Sequence, residues 1–205
     1  MARPLILGIG GTLRPGSTSE KALRVALRAA QRHGANVTAL TGDDLCVPMY
    51  GHADAARSEA ATRLVRLMRD CDGIIVSSPS FHGGISGLVK NALDYTEELK
   101  SGSRVYFDGI AFGSIACAAG WQSIGTTLTA MRSIAHALRA WPTPMGAGIN
   151  SITNPFDDGG NCVDQNALFQ LELVGRQVVD FARMRSAAEA LPAQREDHRQ
   201  LAVSR

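Results

Sequence analysis

The chain has 205 residues, 45% hydrophobic and 20% charged, with 21 Lys plus Arg against 19 Asp plus Glu and a formal charge of +2. That length suits one domain with a substantial core, and the near-neutral balance gives no broad attraction for nucleic acid or anionic membrane. No apolar run nears the roughly 20 residues of a membrane-spanning helix, and MARPLILGIGG reaches its glycines too soon for a secretory signal core, so a cytoplasmic chain is expected.

Residues 4–11 (PLILGIGG) form a short continuous apolar run closed by glycines, the pattern of a strand buried on both faces. A helix is predicted over 19–33, with Leu23, Leu27 and Ala30 on one stripe and Gly34 just past its end. A second strand follows at 36–40 and a helix at 57–69, where Ala61, Leu64, Val65 and Met68 fall at helical intervals. GIIVSS at 73–78 is the clearest buried strand. Next come a helix over 85–99, a strand over 109–117, a helix over 122–138, a fifth strand between 144 and 149, and a last helix over 164–184. Five alternations of strand and helix predict βαβ units: an α/β, doubly wound, three-layer sandwich on a five-stranded parallel sheet. Residues 1–186 are read as this single domain and 187–205 as a polar, frayed tail.

Cys46, Cys71, Cys117 and Cys162 stand far apart, without CxxC or ligand-spaced histidines, and His33, His52, His82, His136 and His198 are scattered. Neither a disulfide framework nor a metal site is expected. No GxSxG elbow exists, so His82-Gly83-Gly84 is no esterase oxyanion loop, and Ser123 stands where a CxxxxxR phosphatase loop starting at Cys117 needs arginine.

In a doubly wound sheet, ligands bind beyond the carboxyl ends of the strands. The first such end, 10–19, combines glycines with Thr12, Arg14, Ser17, Thr18 and Ser19, the composition of a phosphate cradle at a helix N-terminus. A phosphate there gains about 0.3–1 kcal/mol from the helix end and about 1.5–3 kcal/mol per charge-assisted hydrogen bond. The bland alternative is a helix cap, since Ser and Thr are preferred there. Gly11 to Thr18 reads as a P-loop without its lysine, and Leu13 breaks the dinucleotide fingerprint that Gly8 and Gly10 would begin. A single terminal phosphate ester fits best.

The second end carries Pro79, Ser80, Phe81, His82 and Gly83, able to present backbone groups beside a flat ligand; Phe81 and His82 equally suit packing and surface roles. The third carries Ala118, Ala119, Gly120 and Trp121 after Cys117, with Trp121 as a wall or as packing and Cys117 as a buried thiol. A phosphate loop, an aromatic loop and a small-residue loop together describe a flavin mononucleotide site. No side chain is expected to act as catalyst.

Gly11-Thr12-Leu13-Arg14-Pro15-Gly16-Ser17 resembles the G-S-x-R-x-G-S loop of the NAD(P)H-dependent FMN reductases. Ser78-Pro79-Ser80-Phe81-His82-Gly83-Gly84-Ile85-Ser86-Gly87-Leu88-Val89-Lys90-Asn91-Ala92-Leu93-Asp94 is similar to their T-P-E-Y-N-x-S-I-P-G-x-L-K-N-A-I-D-W segment. The resemblance spans about residues 5–180. It implies a flavodoxin-like fold of strand order 2-1-3-4-5, bound FMN, NADPH or NADH as hydride donor to the flavin N5, and a homodimer or homotetramer in which Lys90 and Asp94 meet a neighbour. Ser80-Phe81-His82 departs from the family's Glu-Tyr-Asn, which bears on nicotinamide and acceptor choice.

Two fates of reduced FMN stay open: release to a flavin-dependent monooxygenase partner, or retention for reduction of a quinone, azo compound or metal ion. A flavodoxin-type electron carrier is disfavoured by the pI of about 8.5, and a P-loop-like nucleotide-binding domain by the missing lysine.

Overall fold

The computed structural model describes residues 2–52 and 58–190. Its sheet comprises β1 (Leu5–Gly10), β2 (Asn36–Leu40), β3 (Gly73–Phe81), β5 (Ala111–Ala118) and β6 (Trp141–Asn150), all parallel in the order β2-β1-β3-β5-β6; the two-residue β4 (Gly84–Ile85) pairs antiparallel with β3. With β4 set aside this is the expected order 2-1-3-4-5. The helices are α1 (Thr18–Arg32), α2 (Glu59–Asp70), α3 (Gly87–Asp94), α4 (Trp121–Ala137) and α5 (Gln165–Glu189).

Strand alternation distributes the core to two faces. Ile6, Ile75, Ala111 and Ile115 pack against Leu23, Leu27, Val174 and Val178 of α1 and α5. Leu7, Ile9, Ile74, Val76 and Phe112 pack against Leu64, Met68, Val89 and Met131 of α2, α3 and α4. Burying each such side chain contributes about 1.5–3 kcal/mol, which is why the central strands read as unbroken apolar runs. Among the described residues no helix is long and apolar enough to cross a membrane.

Several element boundaries differ from the sequence reading. β3 continues past Ser78 to Phe81, because Ser80 and Phe81 pair with Ile85 and Gly84 in a hairpin turned by His82 (φ 52°) and Gly83 (φ 84°). Two consecutive positive φ values are what a tight two-residue hairpin of the primed type requires. Ile85 is thereby a strand residue, and α3 starts only after Ser86, whose hydroxyl accepts from Val89 N. After Asp94 the helix tightens into a 3₁₀ turn, Tyr95–Leu99, which brings the Tyr95 hydroxyl to Pro48 O at 2.8 Å.

β6 starts at Trp141, three residues before the expected range, although it contains Pro142 and Pro144. It is an edge strand, where a missing N–H breaks no ladder; the register shifts between Phe112 and Ser114, opposite Pro142 and Gly146. Helix α5 runs to Glu189, beyond its expected end at 184, and residues 191–205 of the expected tail lie outside the described residues. So does Arg57, the expected start of the second helix; α2 begins at Glu59, with the Ser58 hydroxyl accepting from Ala61 N.

Candidate active site

A cleft of about 660 Å³ opens at the carboxyl ends of β1, β3, β5 and β6, over the switch point where the chain's winding reverses between β1 and β3. It is lined by Thr12, Leu13, Arg14, Ser17, Thr18, Ser19, Pro79, Ser80, Phe81, Cys117, Ala118, Ala119 and Ser151. A larger groove of about 740 Å³, bounded by Trp141, Pro142, Phe181 and Met184, lies at the opposite, amino end of the edge strand. It is mainly apolar and gathers no loop of hydrogen-bond donors. Most of the site residues expected from the sequence converge on the first.

The β1–α1 loop forms one end of the cleft. Gly10 is required by close approach: a Cβ there would lie 2.1 Å from Ser77 O. Gly11 N donates to that same carbonyl at 3.2 Å, and the Ser77 hydroxyl donates to Ser19 O at 2.8 Å, so the loop is fastened to β3 at both ends. Ser17 caps α1, its hydroxyl accepting from Glu20 N at 3.3 Å, while Thr12 Oγ1 accepts from Arg14 N at 3.1 Å. The first amides of a helix have no partner within it and point out of its N-terminus. Ser17 and Ser19 are buried, Thr12 and Thr18 half-buried, and Arg14 exposed with no side-chain hydrogen bond or ion pair among the described residues. Such an end gathers amide, hydroxyl and guanidinium donors around one point, suited to an anion.

The other end is flatter. Pro79 and Phe81 come from the β3 extension, Ala118 and Ala119 from the end of β5. Ser80 anchors the former: its hydroxyl lies 2.5 Å from Ser123 Oγ and 2.5 Å from Thr127 Oγ1, both on α4, and donates to Ser123 O at 2.9 Å. Ser78 Oγ accepts from Ser86 N at 2.9 Å, tying the base of the hairpin to the start of α3. Cys117 is buried in the floor, and burial pushes its thiol up to about 12, so at neutral pH it is an un-ionised wall atom and no nucleophile.

Of the residues singled out from sequence, Thr12, Arg14, Ser17, Thr18, Ser19, Pro79, Ser80, Phe81, Ala118 and Ala119 line this one cleft. His82 and Gly83 form the exposed hairpin tip beyond Phe81, and Gly120 is the N-cap of α4. Trp121 is exposed and its ring lies toward Gly148 of β6, where a Cβ would be 3.8 Å from Cζ3. None of these four forms part of the cleft wall. Leu13, Cys117 and Ser151 do, without having been chosen. Ser151 follows directly on β6, so its signal was positional: the fifth strand's carboxyl end belongs to the same rim as the other three.

The family model for NADPH-dependent FMN reductases matches residues 4–153, which include every residue on the cleft wall. The chain belongs to the NADPH-dependent FMN reductase family. Among family oxidoreductases, an NAD(P)H-dependent FMN reductase of Pseudomonas aeruginosa is 27% identical over 181 residues, covering 84% of this chain and 93% of that one. An NADPH azoreductase of a Bacillus species is 36% identical over 50 residues, only 24% of this chain and 28% of that protein. FerB, a flavoenzyme NAD(P)H:(acceptor) oxidoreductase of Paracoccus denitrificans, superposes with a TM-score of 0.72 at 18% identity, over 88% of this chain and 98% of its own. A flavodoxin from the domain Archaea has a TM-score of 0.59 at 8% identity over 87% and 99%, which places this FMN reductase family member in the flavodoxin-like fold.

Proposed function

We propose that the cleft binds FMN, with the phosphate in the β1–α1 loop and the ring system between the β3 hairpin and the β5–α4 loop, and that the protein oxidises NADPH or NADH. The observation that supports this most directly is the polarity of the cleft: Thr12, Arg14, Ser17, Thr18 and Ser19 gather at one end, while Pro79, Phe81, Ala118 and Ala119 make a flat, small-residue wall at the other. The fit is chemical as well as spatial. Gly10 lets the loop backbone lie against β3 where any Cβ would collide, and the exposed guanidinium of Arg14 suits a phosphate dianion.

When bound, FMN supplies two-electron chemistry, accepting hydride from a reduced nicotinamide. The protein's own part is binding and orientation. The Ser80–Ser123–Thr127 cluster holds the hairpin wall rigid, and the exposed Leu13 and Phe81 offer an apolar landing at the mouth for a second flat ring. Among the described residues, the ionisable side chains on the cleft wall are the Arg14 guanidinium and the un-ionised Cys117 thiol, consistent with a step that needs no general acid or base.

The same reading includes delivery of reduced FMN to a flavin-dependent monooxygenase, and a homodimer or homotetramer built around α3. There Lys90 and Asp94 pair with each other at 2.5 Å on the exposed face and would exchange partners at an interface. The similarity to an azoreductase and to an acceptor oxidoreductase favours a second reading, in which FMN is retained and a low-molecular-weight acceptor is reduced.

The deciding experiment is oxidation of NADPH and NADH by the purified protein in air, with and without added FMN. Oxidation that depends on added FMN supports the releasing reductase, and oxidation without addition supports the retaining one. Absence of oxidation in both conditions overturns the nicotinamide activity and leaves an electron carrier.

A further inference from the structure

The segment Ser17-Thr18-Ser19-Glu20 has the S-x-x-E form of a capping box, in which the glutamate normally reaches back to the amide of the N-cap residue itself. Here it reaches one residue further. Glu20 Oε2 accepts from Gly16 N at 3.0 Å, while Glu20 N donates to Ser17 Oγ at 3.3 Å. The other carboxylate oxygen, Oε1, accepts from Arg24 Nε at 2.9 Å and Nη2 at 2.7 Å, and Arg24 Nη2 also donates to Thr41 Oγ1 at 3.4 Å. The Glu20 side chain is 13% exposed against 50% for Arg24, and a Cβ on Gly11 would come within 3.3 Å of its own Cβ. A fixed, largely buried carboxylate is therefore wrapped inside the same loop that offers its donors to the cleft.

We propose that the Glu20–Arg24 pair sets how tightly this loop holds a phosphorylated ligand; the inference rests on the FMN reading above. Glu20 acts in two ways. It takes up the Gly16 amide, one of the donors in the β1–α1 turn. It also places a negative charge in the first turn of α1, where a phosphate draws on the same positive helix end. Arg24, one turn later on the helix, offsets that charge. The loop is thus pre-formed without ligand, its shape held by an internal carboxylate, and the ligand phosphate is opposed by the same group. Glu20 and Arg24 lie off the cleft wall, so they are positioning residues whose effect is confined to the phosphate.

The test compares FMN with riboflavin, which lacks the phosphate, by fluorescence titration of the full chain at low ionic strength. Glu20→Gln keeps the acceptor for Gly16 N and removes the charge. It is expected to tighten FMN binding at least threefold and leave riboflavin unchanged. Arg24→Gln exposes the carboxylate's charge and is expected to weaken FMN at least threefold, again without effect on riboflavin. In the Glu20→Gln background, Arg24→Gln should change neither, because the two residues act through each other. The wild-type and variant difference should shrink at about 0.5 M salt, where the screening length is only a few ångströms.

A merely structural role would move FMN and riboflavin together. An unchanged FMN-to-riboflavin ratio in both single variants overturns the proposal. If the wild-type protein binds the two flavins equally, the placement of phosphate in this loop fails instead. If it prefers FMN and the variants do not alter that preference, only the Glu20–Arg24 inference fails.

Discussion

Ser80 on the β3 extension and Thr127 on α4 place their hydroxyl oxygens 2.5 Å apart, joining two segments 47 residues distant in sequence. Thr127 is fully buried, so its hydroxyl depends on this contact. Ser80→Ala is expected to destabilise the protein by about 1–3 kcal/mol, the cost of an orphaned buried hydroxyl. Thr127→Val leaves Ser80 its partner Ser123 and should cost less. The double variant should cost less than the sum, because both partners become apolar together. Urea denaturation of the four proteins measures this; strict additivity would show that the two hydroxyls are energetically independent.

Arg14 is exposed and makes no side-chain hydrogen bond or ion pair among the described residues, so Arg14→Ala should leave the denaturation midpoint unchanged. Loss of one charge-assisted contact of about 1.5–3 kcal/mol should weaken FMN binding by roughly tenfold or more and riboflavin binding very little. Ser17→Ala differs. It removes the hydroxyl that accepts from Glu20 N and should lower stability by about 0.5–2 kcal/mol as well as FMN affinity. Isothermal titration alongside urea melts separates the two effects, and an Arg14→Ala protein with wild-type FMN affinity would remove Arg14 from the phosphate site.

The parts of the molecule that were legible in the sequence are those governed by local periodicity. Ile74, Ile75 and Val76 are consecutive and all buried, so a central parallel strand could be read directly. The Gly- and Ser-rich turn after β1 was also readable, since caps and anion cradles use the same residues. What escaped was set by tertiary partners. Pro142 and Pro144 argue against a strand unless the strand is known to be at the edge, and edge position is a property of the whole sheet. The extension of β3 depends on pairing with Gly84 and Ile85 across His82 and Gly83. A composition of Pro, Phe, His and Gly reads equally as loop. The ring size and strand-end position of Trp121 suit a cleft wall, yet the direction of α4 turns it toward Gly148.

His82 holds φ of 52° at the first position of the hairpin turn. Positive φ is tolerated by Asn and Gly but costs a β-branched residue roughly 1–2 kcal/mol. His82→Asn is therefore expected to match or exceed wild-type stability, and His82→Val to lose about that amount. Because the tip lies off the cleft wall, FMN affinity should stay constant in His82→Asn while nicotinamide turnover changes. A fall in FMN affinity with turnover per bound flavin unchanged would place the imidazole against the cofactor instead.

The buried thiols make stability fall on the alkaline side. Burial pushes Cys117 up to about 12 and Cys71 up to about 11, the latter despite the opposing Arg104 guanidinium 3.9 Å away, from an ordinary value of 9.0. Both folded-state values lie above the unfolded one, so the contribution is complete below pH 9 and is lost as pH rises towards the folded values, where the unfolded chain releases protons first. At pH 10 each thiol disfavours folding by about 1 kcal/mol relative to pH 8. The phenols of Tyr50 and Tyr95 are also raised, by burial and then by Glu98, and that of Tyr106 by its hydrogen bond to Glu97; they add their share above pH 10. Urea denaturation under reducing conditions at pH 8, 9 and 10 should show the midpoint falling. Cys71→Ala and Cys117→Ala should each flatten that decline, whatever each costs at pH 8; Cys162, raised more modestly by burial, keeps part of it. A slope unaffected by either replacement would mean that both thiols titrate alike in the folded and unfolded chains.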